Sequence, residues 1–148
     1  MDSTTEYANR IVSGDILASK SIIDACNRHL KDMKSQTEYV WDFSYAEKAI
    51  SFMEMLPDPK TGKTFPLARF QKFIVGSIYG WRRADNKELR RFKKAVVSVA
   101  RKNGKSLLIS GIILYEFLFG QNPAMSRQLF TGANDKAQAS IIFNMCAK

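Results

Sequence analysis

The sequence predicts an α/β fold built on a parallel sheet, and three features of its second half carry that prediction. A short β-branched run, Ala95-Val96-Val97-Ser98-Val99, has the length and composition of a buried parallel strand. It breaks into a polar turn closing on Gly104-Lys105-Ser106, and an apolar helix pattern follows at once. A second short strand candidate, Gln128-Leu129-Phe130-Thr131, then leads through Gly132-Ala133-Asn134-Asp135 into another helix over 135–148. Strand, loop, helix, strand, helix is the alternation that places helices against a parallel sheet.

Composition bounds the class of protein. A chain of 148 residues, 45% hydrophobic, 11% aromatic and 25% charged, suits one folded domain with a real core. Cys26 and Cys146 stand in no metal-ligand spacing and form no disulfide framework, which points to a reducing cytoplasm. The start Met1-Asp2-Ser3-Thr4-Thr5-Glu6 lacks a basic, apolar leader, and no apolar run reaches the roughly 18 residues of a membrane span. No membrane association is expected.

The net charge of +9 is concentrated. Residues 69–105 hold twelve Lys/Arg against Asp85 and Glu88, so this segment carries +10 and the remainder −1. A basic block running into a phosphate loop suits nucleotide phosphates, a nucleic-acid backbone or both. Arg82, Arg83, Arg90 and Arg91 are the DNA-contact candidates, and a solvated basic face is the plainer alternative.

In chain order, Ser3-Thr4-Thr5-Glu6 has capping-box spacing for a first helix that ends near Gly14. A second helix is predicted over 16–33, with Ile16, Ile23, Cys26, Leu30 and Met33 on one face. His29 lies beside that face with no second ligand candidate nearby, and is expected at the surface or the boundary. Ser44-Tyr45-Ala46-Glu47 offers a second capping box, for a helix with a core stripe of Ala46, Ala49, Ile50, Met53 and Leu56. Two prolines and a glycine within 57–63 break the chain, separating a helical preface, 1–63, from a second region, 64–148.

A helix after Pro66 places Phe70, Phe73, Ile74, Ser77, Ile78 and Trp81 on one stripe. Gln71 stands out there, because a side-chain amide offers both a donor and an acceptor to the edge of an adenine. The helix from Lys105 is apolar nearly all round and should be largely buried, with Gly120 and Pro123 ending it. Asn134 or Asp135 would cap the last helix.

The turn carries the chemistry. The phosphate-loop pattern G-x-x-x-x-G-K-[ST] is half met: Gly104, Lys105 and Ser106 are present, and Val99 holds the place of the first glycine. Backbone N–H groups of Lys102, Asn103, Gly104, Lys105 and Ser106 would cradle a phosphate at the positive end of the following helix. Gly104 lets the backbone come close, Lys105 offers an ammonium to the β- and γ-phosphates, and Ser106 offers a hydroxyl to Mg²⁺. A strand-turn-helix that merely contains Gly-Lys-Ser is the alternative.

Several spaced motifs then resemble one family. Phe65-Pro-Leu-Ala-Arg-Phe-Gln71-Lys-Phe-Ile, Tyr79-Gly80-Trp81, Arg91-Phe92-Lys93-Lys94, Val99-Ala-Arg-Lys-Asn-Gly-Lys-Ser106, Leu114-Tyr115 and 131–139 are similar, in order, to the start of the ATPase domain of tailed-bacteriophage terminase large subunits. The likeness spans about residues 36–148 and accounts for the missing first glycine, because the family's loop is a deviant one.

The resemblance implies a P-loop NTPase sheet of the additional-strand type, incomplete here, preceded by helices. It also implies an ATP- and Mg²⁺-dependent motor that packages double-stranded DNA through a portal protein, working with a small terminase subunit in the host cytoplasm as a phage or prophage product. A nuclease domain that cuts concatemers belongs to the full-length family protein. By the same resemblance Lys105 is the loop lysine, Ser106 the magnesium-side hydroxyl, Arg101 a sensor or stabiliser of the γ-phosphate, Ala100 through Ser106 the nucleotide-binding stretch, and Gln71 the adenine reader. After Ser106 the acids are Glu116 and Asp135, and no apolar run ends in Asp-Glu. The chain is therefore expected to be the N-terminal part of a terminase, from a truncated gene, a split gene or an excerpt. Alone it should be catalytically inactive, with a gapped sheet that is marginally stable or completed by the remainder of the terminase. The alternative is a non-enzymatic DNA- or protein-binding module using residues 82–94.

Overall fold

A computed structural model describes residues 2–58, 61–64, 66–120 and 128–147. Pro59, Lys60, Phe65 and Pro123, which figure in the predicted chain break, the family motif and the end of the fifth helix, lie outside the described residues. The described elements are helices α1 (Ser3–Val12) and α2 (Lys20–Lys34), strand β1 (Tyr39–Trp41), helices α3 (Phe43–Met55) and α4 (Arg69–Gly80), strand β2 (Trp81–Arg83), and helices α5 (Lys105–Phe119) and α6 (Lys136–Ala147). They fall into two compact units, one of residues 1–50 and 67–95, the other of 51–66 and 96–148.

The six predicted helices are present, and the caps differ from the prediction. The side chain of Asp2, not the Ser3–Glu6 box, caps α1: its Oδ1 accepts the N–H groups of Thr4 at 3.1 Å and Thr5 at 2.9 Å. Ser3 donates instead to Glu47. Asp42 likewise accepts the N–H and hydroxyl of Ser44 at the start of α3. A carboxylate competes well for these positions because it meets orphan N–H groups with a full charge at the positive helix end. Helix α2 begins at Lys20 rather than 16, because residues 14–19 fold back and the Ile16 N–H reaches the carbonyl of Arg10.

In the first unit α1 packs on both α2 and α4. Tyr7, Ala8, Ile11, Cys26 and Phe73 form the buried centre, with Ile16, Ile23, Leu30 and Phe70 against it. Contact between α1 and α4 is closest at Gly76, where an added Cβ would lie 1.9 Å from the Thr4 hydroxyl oxygen. Glycine is therefore a packing requirement at this crossing. The two short strands pair antiparallel, with Tyr39 opposite Arg83 and Trp41 opposite Trp81.

His29, expected at the surface or boundary, is 3% exposed and sits at the centre of this unit. The Trp81 indole N–H, which can only donate, reaches His29 Nδ1 at 3.1 Å. The proton of the neutral ring is then on Nε2, which donates to the Thr5 hydroxyl at 3.1 Å, and Thr5 donates onward to Asp2 at 2.8 Å. Trp41 closes the cluster, with its ring centroid 4.7 Å from the imidazole and its own N–H on Asp2. Burial pushes the imidazole down to about 4, against the opposing pull of Asp2 and Asp32. Burial also pushes the neighbouring Cys26 thiol up to about 11, so it stays a neutral packing group.

The expected parallel sheet is not among the described elements. Residues 95–100 and 128–133 take no strand assignment, and β1–β2 is the sheet formed among the described residues. Composition alone does not make a strand: a ladder needs a hydrogen-bonding neighbour, and Val96 is 97% exposed and pairs with no strand among the described residues.

In the second unit α5 packs on α6. Leu108, Ser110, Gly111 and Tyr115 are its buried residues. Phe52 meets Tyr115 and Phe119 edge-on at 5.5 and 5.4 Å. The all-round apolar helix is thus only partly covered, since Phe117, Leu118 and Phe119 are 44–54% exposed. Asp135 caps α6 by accepting the Gln138 N–H at 2.8 Å.

Two measurements check the first unit. Gly76→Ala is expected to cost about 1–3 kcal/mol in urea unfolding, and Thr4→Ala in the same chain to restore part of it. His29 is the single histidine, so its ring resonances report one group. With its folded pKa below the ordinary 6.5, its contribution to stability is present above pH 6.5 and lost as pH falls toward 4. The slope is at most about 1.4 kcal/mol per pH unit. Ring resonances should therefore hold constant down to about pH 5.5, whereas a midpoint near 6.5 would contradict the buried network.

Candidate nucleotide-binding loop

The loop lies in the second unit, between the irregular residues before Ala100 and the first turn of α5. Residues 101–104 form a turn, and α5 opens at Lys105 with Gly104 as its N-cap. Gly104 is left-handed, at φ 69 and ψ 18, which a residue without Cβ adopts at no steric cost. Its carbonyl accepts the Leu108 N–H at 2.9 Å and so begins the helix ladder.

Lys102 also has φ 69 and is the one non-glycine residue with positive φ among the described residues. A side chain there costs about 1–2 kcal/mol. Backbone φ thus runs positive, negative, positive over Lys102, Asn103 and Gly104, the alternation that turns successive N–H groups toward one side in anion-binding nests. The Asn103 carboxamide donates to the Ala100 carbonyl at 3.2 Å, bridging the turn.

The loop side chains stand out in solvent. Ala100, Arg101, Lys102, Asn103, Lys105 and Ser106 are exposed, and Gly104 is half-buried. One turn on, the Ser110 hydroxyl donates back to the Ser106 carbonyl at 2.9 Å. The residues predicted to hold phosphate are thus gathered at one helix N-terminus, where orphan N–H groups and the helix dipole favour an anion. Among the described residues, no three His, Cys, Asp or Glu side chains cluster as a metal site.

Gln71 belongs to the first unit. It is 2% exposed, and its Oε1 accepts the Ala68 N–H at 2.9 Å, bracing the first turn of α4. Gln71 thus has a structural duty in this turn.

The four arginines proposed for DNA are largely committed to the first unit. Arg82 is 2% exposed, lies 3.7 Å over the Tyr45 ring and donates to the Glu88 carbonyl. Arg91 pairs with Asp32 at 2.6 Å and stacks among Tyr39, Trp81 and Phe92. Arg90 approaches Tyr79, and Arg83 forks onto Asp85. Arg82, one of the DNA-contact candidates, is thus buried in this unit. These aromatic partners escape sequence patterning: Tyr39 and Tyr45 join Arg91 and Arg82 from a distant segment, although the interleaving of Trp81 and Phe92 with Arg82 and Arg91 is a local hint.

Known proteins resemble this chain. The family model described as terminase large subunit, ATPase domain, matches residues 69–148, from the first residue of α4 onward and including the loop. The large terminase subunit of Enterobacteria phage HK97 is 36% identical over 106 residues, a stretch covering 69% of this chain and 19% of the phage protein. A crystal structure of the HK97 bacteriophage large terminase aligns with a TM-score of 0.54 at 34% identity, over 69% of this chain and 20% of that one. The chain belongs to the terminase large subunit ATPase-domain family. It spans about a fifth of the length of the relative it matches. Among the described residues, no helix is long and apolar enough to cross a membrane.

Arg82 separates a structural from a DNA-binding role. Arg82→Met is expected to lower stability by about 1–3 kcal/mol in urea unfolding, through the lost buried charged hydrogen bond and ring contact. Arg83→Gln should change it by less than about 1 kcal/mol, as for exposed ion pairs in general.

Proposed function

We propose that this chain is the nucleotide-binding portion of a terminase large subunit, the ATP-driven motor that packages double-stranded viral DNA. The observation that carries the reading is the left-handed Gly104 opening α5 directly onto Lys105 and Ser106, within the family-matched residues. Family membership supports nucleotide binding in general terms, and the loop chemistry suits a nucleoside triphosphate with Mg²⁺.

The N–H groups of residues 102–106 would hold the β-phosphate, and Lys105 would reach the β- and γ-phosphates. Mg²⁺ commonly takes one or two protein groups and completes its shell with phosphate oxygens and water, so the Ser106 hydroxyl suits it as a single protein ligand. Arg101 is exposed and carries a fixed charge suited to the γ-phosphate, where it would stabilise charge developing in transfer. Gln71 is the adenine reader that the resemblance suggests.

In this reading residues 1–63 are a helical preface and 64–148 the first part of the ATPase domain. The run 95–99 joins a parallel sheet of the additional-strand type, with its acidic strand supplied by sequence other than these 148 residues. Hydrolysis, cutting and translocation then belong to a longer assembly in the cytoplasm of the bacterial host. Double-stranded DNA, a portal protein and a small terminase subunit are the partners proposed for it.

Calorimetric titration with ATP and Mg²⁺ tests the site. Weak binding is expected, and Lys105→Ala should weaken it at least about tenfold, the loss of one charge-assisted phosphate contact. Equal affinity of the two chains would remove the phosphate-loop reading.

A further inference from the structure

One loop residue holds a backbone geometry unusual for its type. Lys102 holds a left-handed backbone in an exposed turn, where no packing enforces it. Glycine is the residue that ordinarily fills such a position. A restraint comes from the Asn103 side chain, whose Nδ2 donates to the carbonyl of Ala100 at 3.2 Å. That bond spans Arg101 and Lys102 and closes a small ring around the strained residue.

We propose that Asn103 is a positioning residue of the phosphate loop, whose carboxamide holds Lys102 left-handed so that the loop N–H groups converge before an anion arrives. This rests on the phosphate-loop reading given above and adds a role that the reading does not need. Fixing a loop in its bound shape in advance removes an ordering cost from binding, so the brace acts on affinity through Lys102 and not through a contact of its own. A side chain that touched the anion directly would act without regard to the backbone at 102.

The test is a double-mutant cycle on this chain, read with ADP and with inorganic pyrophosphate, which engages phosphate-binding groups alone. Asn103→Ala should weaken both ligands about fivefold or more, within the range of one to two immobilised groups. Lys102→Gly removes both a charge and the strain, so affinity falls by the charge contribution. In that background Asn103→Ala should have no further effect beyond about twofold. Full loss persisting in the Lys102→Gly background would overturn the proposal and make Asn103 a direct ligand, and no loss from Asn103→Ala in the native loop would overturn it as well. Lys105→Ala run alongside separates the two readings: indifference there removes the phosphate site itself. A ligand-free readout closes the remaining gap. Three-bond couplings of the Lys102 amide should report positive φ in the native chain and an extended or helical φ in Asn103→Ala, and a positive φ surviving in the variant would also overturn the proposal.

Discussion

The bond from the Trp81 indole N–H to His29 Nδ1 is the constraint on which the first unit depends. Because an indole can only donate, it fixes the imidazole tautomer, and that tautomer sets the direction of the relay through Thr5 to Asp2. Asp2 in turn caps α1 and takes the Trp41 N–H. A single neutral ring thereby ties α1, α2, β1 and β2 together with every polar atom of the relay bonded. Such a network specifies one arrangement because a half-made version leaves buried polar groups unpaired. It sits at the end of α4, the helix with which the family-matched residues begin.

Charge in the basic segment is divided between buried and exposed groups. The arginines at 82 and 91 are drawn into the fold, where a planar, weakly hydrated guanidinium stacks on tyrosine and tryptophan. Lys93, Lys94, Lys102 and Lys105, with Arg101, remain exposed. Compact ammonium charges on flexible stems are costly to bury and effective at attracting anions. What looks in the sequence like one uniform basic block is thus two populations, one structural and one available to phosphates.

Much of the helical framework is legible in the sequence, because stripes such as Phe70, Phe73 and Ile74 need only local periodicity. The caps are less so: Asp2 and Asp42 each lie one or two residues before a plausible Ser box, and the stronger acceptor wins. His29 was beyond reach of local reading, since the groups that bury it lie 24 and 52 residues away in sequence. The sheet eluded it in both directions. Tyr39–Trp41 and Trp81–Arg83 are three residues each, too short to show alternation, while 95–99 has strand composition without a neighbour to pair with. At the site, Gly104, Lys105 and Ser106 announce themselves through the chemistry each type brings to a phosphate. The left-handed Lys102 does not, because nothing about a lysine marks that backbone, and only its neighbour's carboxamide explains it.

Residues 102–106 are proposed to form an anion cradle at the start of α5. Residue-resolved amide shifts during titration with Mg²⁺ and ADP test it most directly. The largest shifts are expected at the amides of Asn103, Gly104, Lys105 and Ser106, with the arginine-bearing segment around Arg82 and Arg91 unmoved. Shifts centred on that arginine segment, or none in the loop at saturating nucleotide, would contradict it.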